Sequence, residues 1–348
     1  MKIITAHHKK IIDDSYKVFI EQGVINKLPS LLKKINLGQK YAIITDSKTS
    51  KIHGISISKF LNKNGIKNEI FSFEAGEKSK TLKTIEELSE AMVEKGFNRK
   101  DSIIALGGGV VGDIAGFLAS IYLRGIPFVQ IPTTLLAMVD SAIGGKTGVD
   151  LKAGKNLIGT ITQPKAVFID INFLKTLPEN QIRSGLGEII KYGVIKDEKF
   201  FTYLEKNLSK IFAHDEKVLN YIIKKSIDIK VEVVENDEKE SKNRMILNYG
   251  HTYGHALEKL SNYTLLHGYA ISIGMVIANQ MAVEKKLLKQ KDADRIKALF
   301  EKTGLPTYSM HKPTIKDLMT DKKSDGKSIN FILPTKIGNA IIYNQKFN

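Results

Sequence analysis

Short β runs alternating with helical segments in the first half, then long helical periodicity in the second, predict two domains. The first is an α/β N-terminal domain with a mainly parallel, Rossmann-like sheet, and the second is mostly α-helical. The β runs are apolar, largely β-branched stretches at residues 17–20, 41–45, 69–73, 102–105, 128–131 and 166–170. Helical segments at 81–95 and 113–121 lie between several of them, and strand–helix–strand alternation favours parallel pairing. Beyond Leu177-Pro178 helical periodicity takes over, at 200–212, 217–234, 251–260, 270–286 and 292–303. Only 329–334 and 340–343 read as β again. The boundary falls near residue 180, giving domains 1–180 and 181–348. No repeat or low-complexity linker separates them, so they are expected to pack around a shared cleft, where ligand sites tend to form.

Composition narrows the function classes. A chain of 348 residues with 42% hydrophobic content can bury two ordinary cores. There is no cysteine, which excludes disulfides and thiolate metal sites; any metal must use histidine and carboxylate. The opening MKIITAHHKKIIDDSYKVFI has no apolar stretch of signal-peptide length, and no run approaches the roughly 20 apolar residues of a membrane span. A cytoplasmic protein is expected. The net charge of +16 is scattered as lysine pairs among acidic residues, without a basic arm or aromatic platform. That pattern fits a lysine-rich surface and an anionic small molecule better than nucleic acid.

Residues 102–113, SIIALGGGVVGD, run from a buried-strand pattern through a glycine turn into a helix. Gly107, Gly109 and Gly112 satisfy G-x-G-x-x-G, in which backbone N–H groups and a helix N-terminus can approach a pyrophosphate. Tight strand–helix packing is the other reading of such glycines. The ribose carboxylate expected about 20 residues later is missing, because 126–132 reads IPFVQIP. Asp46, ending the 41–45 run, is a better candidate, or simply starts a turn.

His251 and His255 stand four apart, on one face if helical, and His267 follows in Leu-His-Gly. Glu188, in SGLGEIIK, falls at the first turn of an expected helix, where the helix dipole alone would account for it. Two histidines and a glutamate are a known ligand set for catalytic zinc. His7, His8, His53, His214 and His311 read as surface or satisfied core residues.

GGGVVGDIAGF, YLRGIPFVQIPTTLLAMVDSAIGGKTGVD, GKNLIG, GLGEIIKYG, RMILNYGHTYGHALE, HGYAISIGM and DKKSDGK occur in that order along nearly the whole chain. In this it resembles the 3-dehydroquinate synthase family of sugar-phosphate cyclases. The resemblance implies Glu188, His251 and His267 as metal ligands, leaving His255 as an acid–base residue. Glu240, by itself a solvated charge in DEKE, becomes the other acid–base candidate, with Lys146 and Arg244 also catalytic.

For NAD the resemblance points to Asp46, to the turn Ala75, Gly76, Glu77, Lys78, Ser79 and Lys80, and to Gly109, Val110, Val111, Gly112 and Asp113. Thr133, Thr134, Lys146, Lys155 and the stretch Phe173, Leu174, Lys175 and Thr176 complete that side. For substrate it points to Asp140, Lys146, Lys155, Asn156, Lys191, Lys230, Arg244, Asn248 and His255, with one of Lys322 or Lys323. Arg124 is expected to reach the neighbouring subunit's site, making a homodimer functional.

The implied substrate, 3-deoxy-D-arabino-heptulosonate 7-phosphate of the shikimate route to aromatic amino acids, carries a carboxylate and a phosphate. Lysine and arginine replace the hydration of such anions by charge-assisted hydrogen bonds. The implied reaction is transient oxidation by NAD, β-elimination of phosphate, reduction, ring opening and intramolecular aldol closure, with zinc or cobalt as metal. Tyr269 stands where many members have glutamate, and ITQP at 161–164 replaces a commoner aromatic pair before Gln-Pro. The other readings are a different sugar-phosphate cyclase, such as a 2-deoxy-scyllo-inosose or valiolone-type synthase, a metal-dependent polyol dehydrogenase, and a nucleic-acid-binding protein.

Overall fold

The computed structural model describes residues 13–237, 243–319 and 328–346. Its first half is built on β1 (Lys17–Ile20), α1 (Leu28–Ile35), β2 (Tyr41–Asp46), α2 (Ser47–Thr49), α3 (Ile55–Lys63), β3 (Asn68–Phe73), α4 (Leu82–Glu94), β4 (Ser102–Gly107), α5 (Gly109–Ile121) and β5 (Phe128–Pro132). The hairpin β6 (Lys146–Leu151) and β7 (Gly154–Ile161) follows, then β8 (Ala166–Ile169). Six strands form one sheet in the order β1-β8-β5-β4-β2-β3, and every pairing in it is parallel. All six are the strands expected from the sequence.

Side chains alternate across this sheet. Ala42, Ile44, Ile103 and Ala105 pack on α4 and α5 through Ile85, Met92, Ile114 and Leu118. Tyr41, Ile43, Ile104 and Leu106 face the other way, onto Leu28, Leu32, Ile57 and Leu61. With both faces covered, the strands read as continuous apolar runs. The second cluster does not stop at the sheet: it continues through Leu135 and Met138 into Ile182, Leu186 and Ile190 of the helical half.

The hairpin β6–β7 was not legible as strand. Its register places Gly148 opposite Gly159, where an added Cβ would lie 2.4 Å from the Ile158 carbonyl or 2.1 Å from that of Thr147. Close backbone approach requires the glycines, and the glycines erase the β signal.

The second half comprises α6 (Glu179–Lys196), α7 (Glu198–Phe212), α8 (Glu216–Asn236), α9 (His251–Leu260), α10 (His267–Glu284) and α11 (Gln290–Thr303), closed by the antiparallel pair β9 (Ser328–Lys336) and β10 (Asn339–Lys346). Glu188, expected in a first turn, instead lies midway along α6, fully buried, where the helix dipole does not stabilise it. The helix starts earlier than expected, directly after Pro178. Helices α6, α9 and α10 touch backbone to backbone. A Cβ on Gly268 would sit 1.9 Å from the Ser184 carbonyl oxygen, and one on Gly274 would sit 2.0 Å from that of Gly250. No helix among the described residues is long and apolar enough to cross a membrane.

Candidate functional site between sheet and helices

The carboxyl ends of β2, β3, β4 and β5 open toward the N-terminal ends of α9 and α10 across a cleft of about 790 Å³. In a parallel sheet this is the edge where ligands bind, at the point where strand order reverses. Here the chain moves outward from β2 to β3 and then returns to the other side of β2 as β4.

On the sheet side, Gly108, Gly109, Val110 and Val111 line the cleft at the N-terminus of α5. The glycines also pack: an added Cβ at Gly107 would meet Val111 at 2.5 Å, and one at Gly112 would meet Gln130 at 2.8 Å. The strand–helix packing reading holds at Gly107 and Gly112, while Gly109 borders the cleft. Asp46 lines the cleft, and its carboxylate caps the next helix, accepting from the Lys48 and Thr49 amides at 2.9 and 2.8 Å. Lys80, buried, pairs with Asp113 at 2.6 Å and also contacts the Asn156 side chain. Burial raises the Asp113 pKa, with Lys80 opposing it. Ala75, Gly76, Glu77, Thr133, Thr134, Phe173 and Thr176 also line the cleft. Lys78, Ser79, Gly112, Leu174 and Lys175 do not.

His53, which the sequence marks only as a surface or satisfied core residue, lies in the cleft wall. Its Nε2 lies 2.8 Å from the Thr176 hydroxyl, and its ring meets Phe173 edge-on. Nothing in its sequence neighbourhood, SKIHGIS, marks it.

On the helical side, Lys191, Lys230, Arg244 and Asn248 converge with Asp140, and Lys146, Lys155 and Asn156 approach from the hairpin. Lys230 Nζ donates to Asp140 Oδ1 at 2.7 Å, and Tyr192, unmarked in the sequence, donates its hydroxyl to the same oxygen at 2.7 Å. Burial alone would raise the Asp140 pKa, but Lys230 and Lys191 hold it at about 2. Lys230 is itself pushed down by burial, against the pull of Asp140. Arg124 lies apart, exposed just beyond the C-terminal end of α5. Glu240, Lys322 and Lys323 fall outside the described residues.

Glu188 Oε1 lies 3.3 Å from His251 Nε2 and 3.1 Å from His267 Nε2. The other nitrogen of each ring is engaged: His251 Nδ1 with the Tyr249 carbonyl at 3.1 Å, and His267 Nδ1 with Glu258 Oε2 at 3.4 Å. With a cation seated between the rings and the carboxylate, a proton on each Nδ1 would leave both Nε2 lone pairs free to ligate it. Donors held tetrahedrally about 2.1 Å from one ion would stand about 3.4 Å apart, and both carboxylate–imidazole separations match that spacing, with the three ligand atoms all within 4.8 Å of one another. Burial lowers the His251 pKa to about 4 despite Glu188, so the ring is neutral. His267 is raised to about 10, since Glu258 and Glu188 outweigh its burial. Burial also opposes the Glu188 charge, yet Lys191 and the two histidines hold its pKa well below the usual carboxylate range. His255, Glu258 and His267 form a second close group.

Comparison with known proteins gives concordant results. The family model described as 3-dehydroquinate synthase N-terminal matches residues 70–184, and the one described as 3-dehydroquinate synthase C-terminal matches 185–325. A 3-dehydroquinate synthase of Prochlorococcus marinus (strain MIT 9515) is 47% identical over 95% of this chain and 94% of its own. Among solved structures, a 2-epi-5-epi-valiolone synthase from Streptomyces hygroscopicus with NAD+ and Zn2+ bound is 29% identical, covering 99% of this chain and 95% of that one, with a TM-score of 0.88. A 2-deoxy-scyllo-inosose synthase complexed with carbaglucose-6-phosphate, NAD+ and Co2+ is 31% identical, covering 94% and 92%, with a TM-score of 0.85.

Replacing Lys230 by Met should leave the Asp140 charge with Tyr192 as its remaining hydrogen-bond donor. A loss of about 1–3 kcal/mol at neutral pH is expected, net of no longer burying the ammonium. Asp140 titrates below its ordinary 3.8, so the pair's contribution is present above that pH and lost as pH falls toward about 2. Urea unfolding of both proteins across that range checks this; equal midpoints at neutral pH would contradict it.

Proposed function

We propose a role for each wall of the cleft from one premise: the chain belongs to the 3-dehydroquinate synthase family. Its activity is the conversion of 3-deoxy-D-arabino-heptulosonate 7-phosphate to 3-dehydroquinate and phosphate. The observation that carries the assignment of roles is the meeting, in one cleft, of the Glu188–His251–His267 cluster, a group of lysines and arginine, and a glycine turn opening α5.

NAD is held on the sheet side. The Gly109–Val111 turn and the N-terminus of α5 receive its pyrophosphate, and Asp46, Glu77, Lys80, Thr133, Thr134, Phe173 and Thr176 bound the rest. Glu188, His251 and His267 hold a divalent cation, zinc or cobalt, both of which accept this ligand set. When bound, NAD supplies a hydride acceptor that later returns the hydride, and the cation supplies a Lewis acid beside the reacting oxygen.

The chain's own residues do the remainder. Lys146, Lys155, Asn156, Lys191, Lys230, Arg244 and Asn248 replace water around the substrate's carboxylate and phosphate. Asp140 offsets part of that positive charge and fixes the Lys230 ammonium. His255, with its ring centroid 5.3 Å from that of His251, moves the proton, and Glu240 is the second acid–base residue. The division near residue 180 gives a nucleotide-binding first domain and a metal-binding helical second domain, with substrate residues drawn from both, and the working enzyme is a cytoplasmic homodimer. Another sugar-phosphate cyclase is the weaker reading: the solved cyclases are 29% and 31% identical, against 47% for the synthase relative. The clustering of Lys230 and Arg244 also meets the demand of a carboxylate.

Inorganic phosphate should be released from the seven-carbon keto acid phosphate only with NAD present. A chelator should stop release, and zinc or cobalt should restore it. NADH should not accumulate; a steady rise in its absorbance without phosphate would instead indicate a dehydrogenase. Arg124, remote from its own cleft, should act in the partner's. Mixed dimers of Arg124→Ala and His255→Ala should then regain activity that neither variant has alone, whereas a fully active Arg124→Ala homodimer would rule this out.

A further inference from the structure

Helix α9 presents His251, His255 and Glu258 at spacings of four and three, on one face. The first two have roles above; Glu258 has none. Its side chain is buried, at 3% exposure, where an ionised carboxylate persists only if paired. Its two oxygens face two different partners. Oε2 lies 3.4 Å from His267 Nδ1, and Oε1 lies 3.1 Å from Lys155 Nζ. Lys155 in turn lies 3.0 Å from Glu77 Oε1 and sits over the Tyr263 ring at 4.6 Å. An ordered chain of charges therefore runs from Glu77, on the turn after β3, through Lys155 at the start of β7 and Glu258 on α9 to His267 and Glu188.

We propose that Glu258 is a positioning residue for the metal centre, fixing the His267 ring and its tautomer, with Lys155 and Glu77 holding Glu258 in place. The inference rests on the ligand assignment given above. Both ligand histidines open their helices, His251 on α9 and His267 on α10, so neither ring packs on a preceding turn of its own helix. Glu188 is gripped by Lys191 from its own helix, and His251 leans on the Tyr249 carbonyl. For His267 among the described residues, Glu258 supplies the contact on the side away from Glu188. A carboxylate accepting from Nδ1–H keeps the Nε2 lone pair aimed at the cation and raises its basicity. Lys155 thereby gains a structural task beside any contact with nucleotide or substrate.

The test is metal affinity, measured by competition with a chromogenic chelator, for the wild type, Glu258→Gln and His267→Ala. Glu258→Gln keeps the size and an acceptor oxygen but removes the charge. It should bind zinc about 10–100-fold more weakly, and at saturating cobalt its visible bands should shift, which a purely structural role would not produce. If His267→Ala binds metal as tightly as the wild type, the ligand assignment itself fails. If His267→Ala loses metal while Glu258→Gln matches the wild type in affinity and spectrum, only the present inference fails. Should Glu258→Gln not fold, the zinc form of the wild type decides. A hydrogen-bonded Nδ1 proton of His267, protected from exchange and absent in His267→Ala, is expected by NMR, and its absence would overturn the proposal.

Discussion

An ionised carboxylate at the centre of a helical core is the constraint around which the second half is arranged. Glu188 is fully buried midway along an 18-residue helix, among leucine and isoleucine side chains. Desolvation alone would force it neutral. It stays charged because Lys191 and two imidazoles are held against it, and they reach it only because three helices meet without side chains between them. Gly268 lies against the Ser184 carbonyl, and Gly274 against that of Gly250. A methyl group at either contact would push a histidine-bearing helix outward. The glycines of SGLGE, NYGHTYGH, LHGYA and SIGM thus serve the site through backbone distance rather than flexibility.

The opposite wall solves a complementary problem. A parallel sheet ends in loops whose amides and helix N-termini suit anions. The lysines between the two walls would repel one another if left uncompensated. Asp113, Asp140, Glu77 and Glu258 each pair with one of them: Lys80 with Asp113, Lys230 with Asp140, and Lys155 with both glutamates. The cleft is therefore not a bare basic patch but a set of paired charges, each in a defined place. Such an arrangement can orient a substrate bearing both a carboxylate and a phosphate instead of merely attracting it.

The strands were legible because both faces of the sheet are buried, making each strand a continuous apolar run. The long helices were legible from their 3.6-residue period. The hairpin β6–β7 was not, since its glycines carry no side-chain pattern. Glu188 was misplaced within its helix because GLG reads as a break, when these glycines mark helix contact. His251 and His255 could be found from their spacing of four. Glu258 continues the same stripe one turn further, and extending the spacing would have found it. His53 and Tyr192 could not have been found this way: their partners, Thr176 and Asp140, are 123 and 52 residues away in sequence. The separation of ligand from acid–base roles among the three clustered histidines came from family resemblance. In the structure His251 and His267 both turn Nε2 toward Glu188.

The central claim is that one cation is held by those three side chains at the junction of sheet and helices. Anomalous diffraction from zinc-loaded crystals, measured on either side of the zinc absorption edge, tests it most directly. The account predicts a single strong peak bounded by Glu188 Oε1 and the Nε2 atoms of His251 and His267, facing the cleft. A peak elsewhere, or one bounded by His255 and Glu258 without Glu188, would contradict it.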